Sequence, residues 1–169
     1  MSQKIAMYFI LTLIANSSLL GQEQIKSNAK VDYQGFLKIS DELISYRASR
    51  LIDIETFNSY NEDSTTIILD TRSKKAFDEI HIKGAIHLNF SDFTKKALAE
   101  KIASKDTRIL IYCNNNFESQ LDALMNKRRP LALNIPTFIN LYGYGYKNVY
   151  ELKDYISEDD NRVQFETKN

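Results

Sequence analysis

An α/β fold is predicted, as a single domain with a central parallel sheet and helices on both faces, and three features of the sequence predict it. Two short runs, Thr65–Asp70 and Arg108–Cys113, are continuously apolar or β-branched, as strands buried on both sides are. Amphipathic segments separate these runs, and strands that alternate with helices favour parallel pairing. The 169 residues are 43% hydrophobic, enough for one core, and only 5 glycines and 2 prolines argue against a disordered chain or an all-β design.

Residues 1–21 differ in kind from the rest. A polar start with one cation (Met1-Ser-Gln-Lys4), an apolar run from Ile5 to Ala15 and a small-residue stretch ending at Gly21 form the pattern of a signal peptide, with cleavage expected after Ser17 or Gly21. The apolar run is shorter than the ~20 residues of a spanning helix. No later stretch is long and apolar enough to span, and no cysteine stands at the junction. The expected mature chain is exported, periplasmic or secreted, with no membrane span.

Residues 22–50 read as a polar linker and then an N-terminal helix. Asp32 is placed to cap that helix, and Phe36, Leu37, Ile39, Leu43 and Ile44 recur at the spacing of a face that packs on a body. The domain proper is expected over 51–157. Leu51-Ile52 reads as a short strand, Ile54–Tyr60 and Ser73–Ile80 as helices, and Ala85–Asn89 as a second short strand. Ser91–Ala103 reads as a helix with Ser91 as its cap, Phe117–Arg128 and Pro136–Tyr142 as further helices, and Asn148–Leu152 as the last strand. Tyr142–Tyr146 reads as a glycine turn closing a helix. The polar tail, 158–169, is expected to be flexible.

Charge excludes more than it names. Lysine plus arginine and aspartate plus glutamate are 22 each, so no overall field favours nucleic acid or an anionic surface. His81 and His87 have no ligand cluster around them, and no metal or other cofactor is expected. The single cysteine, Cys113, has no internal disulfide partner, which leaves an inert buried thiol, an intermolecular disulfide or a nucleophile. In open parallel sheets ligands bind beyond the carboxyl ends of the strands. Asp70, Asn89 and Cys113 all lie at such ends, and one crevice is expected to collect them. A cysteine there meets the unpaired N–H groups of the following loop and helix, which favour thiolate.

The series Ile68-Leu-Asp70-Thr-Arg72, His81-Ile-Lys-Gly84-Ala85, Ile109–Cys113 and Gly145–Leu152 resembles the rhodanese-like domain over about residues 51–157. That resemblance implies a sulfurtransferase-type site. Cys113 would take a sulfane sulfur from a small donor such as thiosulfate, become a persulfide and pass the sulfur to a thiol or other thiophilic acceptor. The implied substrate loop is Asn114, Asn115, Asn116, Phe117, Glu118 and Ser119, with Asp70, Arg72 and His81 as structural support.

Two departures from the family pattern stand out. The family commonly has a base five residues beyond its cysteine, where this chain has Glu118, and an acid beside the thiol would oppose both thiolate formation and an anionic donor. A related phosphatase branch needs a base near Ser119, and none is there. The stretch between Cys113 and Gly145 is also longer than usual and carries Lys127-Arg128-Arg129, either folded back over the site or, the favoured expectation, a solvated helix end. The alternative function is a catalytically silent fold used as a protein-interaction module.

Overall fold

The computed structural model describes residues 29–118, 125–157 and 159–167. The expected signal peptide and most of the linker lie outside the described residues. The chain divides into two compact units, Met1–Tyr33 and Gln34–Asn169. Of the first, only residues 29–33 are described, ending as the first helix begins.

The second unit contains helices α1 (Tyr33–Ala48, starting one residue earlier), α2 (Ile54–Asn61), α3 (Lys74–Glu79), α4 (Lys95–Lys101) and α5 (Asn134–Gly143). Its strands are β1 (Leu51–Ile52), β2 (Ile67–Asp70), β3 (His81–Ile82), β4 (Ile86–His87), β5 (Ile109–Tyr112), β6 (Phe117–Glu118), β7 (Val149–Leu152), β8 (Ile156–Ser157) and β9 (Phe165–Glu166). Five of them form the central sheet in the order β1-β7-β5-β2-β4, and every pairing in it is parallel.

Side chains along a strand alternate between faces, and this splits the core in two. Ile68, Leu110, Tyr112 and Leu152 point to one face, where α2 and α3 cover them with Phe57 and Phe77. Leu69, Ile109, Ile111 and Val149 point to the other, under α1, α4 and α5 with Leu43, Leu98 and Phe138. Helices thus lie on both faces, as the two-sided apolar strands require.

Caps set the helix starts. Asp53 accepts from Thr56 N at 2.9 Å, Ser73 from Ala76 N at 3.2 Å and Thr94 from Ala97 N at 3.0 Å. Ser91 is therefore not the cap of α4. It lies inside a 3-10 turn, Phe90–Asp92, capped by Asn89, and the α-helix begins only after Thr94. Gly84 and Gly145 supply left-handed backbone at φ +81° and +91° in the turns after β3 and α5.

Three further expectations change. In α1, Ile39, Leu43 and Tyr46 face the core, whereas Phe36, Leu37 and Ile44 are exposed. Ile44 sits about 100° round the helix from Leu43, off the packed stripe. Phe117–Arg128 is not one helix: Phe117 and Glu118 form β6, which pairs with β8, and 125–128 is irregular. The tail is held rather than loose over 163–166, because Val163 is buried and β9 pairs antiparallel with β3.

Candidate active site

At its carboxyl end β5 turns Tyr112 to one face of the sheet and Cys113 to the other, and a buried polar cluster forms around each. On the Tyr112 face, Asp70 accepts from Arg72 N at 2.9 Å, from Nε at 3.0 Å and from Nη2 at 2.7 Å. Tyr112 Oη donates to Asp70 Oδ2 at 2.6 Å and accepts from Ile82 N at 3.1 Å. Burial, with the Asp70 charge added, pushes the Tyr112 hydroxyl well above its ordinary pKa, so it remains a donor. Burial works against the Arg72 charge, but the Asp70 carboxylate outweighs it and raises the guanidinium pKa. Close by, His81 stacks on Phe77 at 3.8 Å, its Nδ1 is 2.6 Å from Phe77 O, and its Nε2 is 3.2 Å from Glu166 Oε1.

The three asparagines after Cys113 form a tight 3-10 turn without any left-handed residue. Asn116 fixes it. Its Oδ1 accepts from Cys113 N at 2.9 Å and from Asn134 Nδ2 at 3.0 Å, while its Nδ2 donates to Leu152 O at 2.7 Å and Asp154 O at 3.1 Å. One buried amide therefore ties the loop to α5 and to the end of β7. Asn115 pairs with Lys127 in both directions, Nδ2 donating to Lys127 O at 2.6 Å and Oδ1 accepting from Lys127 N at 3.1 Å. Asn114 donates to Met125 O at 3.0 Å and accepts from Arg72 Nη1 at 3.0 Å.

Cys113 itself is 2% exposed. A cavity of about 240 Å³ opens beside it, lined also by Arg72, Asn114, Asn115, Lys127 and Leu133. Burial raises the thiol pKa above its ordinary value, against the backbone N–H groups of Asn134, Asn115 and Leu133, which face the sulfur and pull the other way. The thiol lies 3.9 Å from Asn115 Oδ1, an acceptor for its proton. Two of the three amides come from the start of α5, not from a helix directly after the loop.

Glu151 also raises the thiol pKa. It is 5% exposed, lies opposite Ile111 in the β5–β7 register, and therefore shares the Cys113 face of the sheet. Burial lifts its own pKa, while Arg47 of α1 and the Asn134 side chain draw it down. Arg47 grips it by two bonds, Nε to Oε2 at 2.7 Å and Nη2 to Oε1 at 2.5 Å. A second cavity of about 260 Å³ lies here, lined by Arg47, Arg129, Asn134, Glu151 and Lys153 with Asn115 and Asn116. Asn134 Oδ1, buried, lacks a hydrogen-bond partner among the described residues.

Sequence reasoning placed several of these residues differently. Phe117 is fully buried in the core and Glu118 is exposed on β6, so the chain has left the loop before either, and Ser119 lies outside the described residues. The acid that bears on the sulfur is Glu151. Lys127, Arg128 and Arg129 are exposed, as expected, but they end no helix: 125–128 is irregular, Arg129 opens a 3-10 turn, and Lys127 and Arg129 line the cavities flanking the loop. Asp70 and Asn89 do not join Cys113 in one crevice: Asp70 faces the opposite side of the sheet and Asn89 caps its 3-10 turn, leaving Arg72 as the link through Asn114. Arg47, Glu151 and Asn134 carried no sequence signal, because only the packing of α1 and α5 on β7 brings them to the loop.

The rhodanese-like domain family model matches residues 53–158. No curated protein matches the chain. Among solved structures, the rhodanese-like domain of Alr3790 from Anabaena sp. is 22% identical, with 62% of this chain and 67% of that one covered at a TM-score of 0.43. A crystal structure of the same Alr3790 protein is 19% identical over 69% of this chain and 91% of that one, with a TM-score of 0.44. BH2092 from Bacillus halodurans is 19% identical over 70% and 73%, also with a TM-score of 0.44.

Proposed function

From the premise that this chain belongs to the rhodanese-like domain family, we propose that it is an exported sulfur-transfer protein that works through a persulfide on Cys113. The observation that carries this reading is the place of Cys113 at the carboxyl end of β5, lining a cavity with Asn115, Lys127 and Leu133, where the backbone N–H groups of Asn134, Asn115 and Leu133 pull its thiol toward the charged form. Fixed amides of this kind stabilise negative charge without reorganising, and a persulfide anion needs such stabilisation. The leader pattern of residues 1–21 supports export.

The step is a displacement at sulfur. The Cys113 thiolate attacks the sulfane sulfur of a thiosulfate-like donor, an S–S bond forms, and the donor's own S–S bond breaks with its electron pair leaving on sulfite. The terminal sulfur then carries the negative charge, facing the amides. A thiol or other thiophilic acceptor attacks that sulfur, and the Cys113 thiolate leaves with the bonding pair. Lys127, at the cavity wall, supplies the cation for an anionic donor that Glu118 does not. Burial keeps the thiol protonated at neutral pH, so sulfur capture rises as the pH is raised.

Thiosulfate incubation followed by intact mass measurement tests the reading. One added sulfur is expected on the wild-type chain and none on Cys113→Ser. The burial and raised pKa of the thiol favour a second reading, a silent fold kept as an interaction module, and absence of the adduct from pH 7 to pH 9 selects it.

A further inference from the structure

Beyond the family-matched stretch lies a contact that reaches the sulfur's surroundings. We infer that Arg47, carried by α1, is a positioning residue for Cys113: its two-point ion pair holds the buried Glu151 carboxylate neutralised on the thiol's face of the sheet, so that α1 is part of the reactive site. This inference rests on the reading of Cys113 as the reacting group.

The argument begins with the strand register. Val149 and Glu151 point to the same face as Ile109, Ile111 and then Cys113, so the carboxylate lies beside the sulfur's strand and below the start of α5. Asn134 lies between the two groups: it lines the Glu151 cavity, its side chain draws the Glu151 pKa down, and its backbone N–H draws the thiol pKa down. A buried carboxylate with no cation opposes a neighbouring thiolate, and Arg47 weakens that opposition through a planar fork that a lysine cannot reproduce. Arg47 lies outside residues 53–158, so the family's architecture does not by itself supply it.

Other charges face the same region. Arg129 and Lys153 line the Glu151 cavity, and Lys153 Nζ is 3.6 Å from Asp53 Oδ2. Arg72 and Lys127 line the thiol cavity, Arg72 being committed to Asp70. None of these makes the fork on Glu151, which belongs to Arg47 alone among the described residues.

The test is the rate of Cys113 alkylation by iodoacetamide against pH, in the full chain, for the wild type, Arg47→Met, Glu151→Gln and the double variant. Methionine keeps much of the packed stem without the charge. In Arg47→Met the midpoint moves to higher pH and the rate at pH 7.5 falls about fivefold. In Glu151→Gln the midpoint moves to lower pH, and the double variant returns to within about twofold of the wild-type rate. Arg47→Lys keeps the charge and loses less than Arg47→Met. A purely structural role would lower the urea midpoint and leave the pH midpoints unordered. Equal pH midpoints in all four proteins, or the same shift in Arg47→Met and the double variant, overturn the inference. Should Arg47→Met not fold, Glu151→Gln decides alone: no acid shift overturns it. Alkylation needs no sulfur donor, so ordered midpoints without a thiosulfate adduct would sink sulfur transfer and leave this inference standing.

Discussion

The two faces at the end of β5 hold buried polar clusters of opposite character. On the Tyr112 face, the Asp70 carboxylate is saturated by Arg72 and Tyr112, and each donor is itself held, Arg72 also by Asn114 and Tyr112 also by Ile82 N. On the Cys113 face the arrangement is unbalanced. The thiol is buried against the pull of its amides, Glu151 is buried but for one ion pair, and Asn134 Oδ1 has no partner among the described residues. A saturated cluster stabilises and does little else, whereas an unsaturated one stores the capacity to accept a charge or a ligand. One strand end thus separates stability from chemistry by the simple alternation of its side chains.

Breaking each face in turn sharpens that contrast. Asp70→Ala should have the largest effect, since it leaves the buried Arg72 without its carboxylate and the Tyr112 hydroxyl without its acceptor. A loss of about 3–5 kcal/mol in urea unfolding is expected, and wherever the variant is folded its Cys113 alkylation rate should stay close to that of the wild type. Asn116→Ala should cost less, about 2 kcal/mol, through the stranded donors on Cys113 and Asn134. It belongs to the other face, however, and should change the alkylation rate severalfold by releasing the cysteine turn. A large stability loss with unchanged thiol reactivity in Asn116→Ala would erase the distinction. Glu118→Arg should have the smallest effect, within about 0.5 kcal/mol and with no change in alkylation, because Glu118 is exposed on β6.

That last expectation reverses what the sequence suggests, and the reason is physical. Counting five residues from Cys113 assumes that the loop continues through position 118. Phe117 instead drives into the core against Tyr112 and Phe165, at ring distances of 5.8 and 5.1 Å, and its backbone pairs with β8. A fully buried aromatic ends the loop two residues early and turns the next side chain to solvent. The sheet, by contrast, was legible throughout, because two-sided burial leaves continuous apolar runs that few other structures need. Cys113 was legible as the residue at the end of such a run. Arg47 and Glu151 were not, because their meeting depends on how α1 lies across β7, and an arginine near a helix end or a glutamate in a short strand reads as solvated until that packing is known.

The most direct test of the account is the intact mass of the full chain after thiosulfate treatment at neutral and at alkaline pH. One added sulfur confined to Cys113, with occupancy rising as the pH rises, is the predicted result. An adduct that survives in Cys113→Ser, or a folded chain that gains no sulfur at either pH, would contradict it.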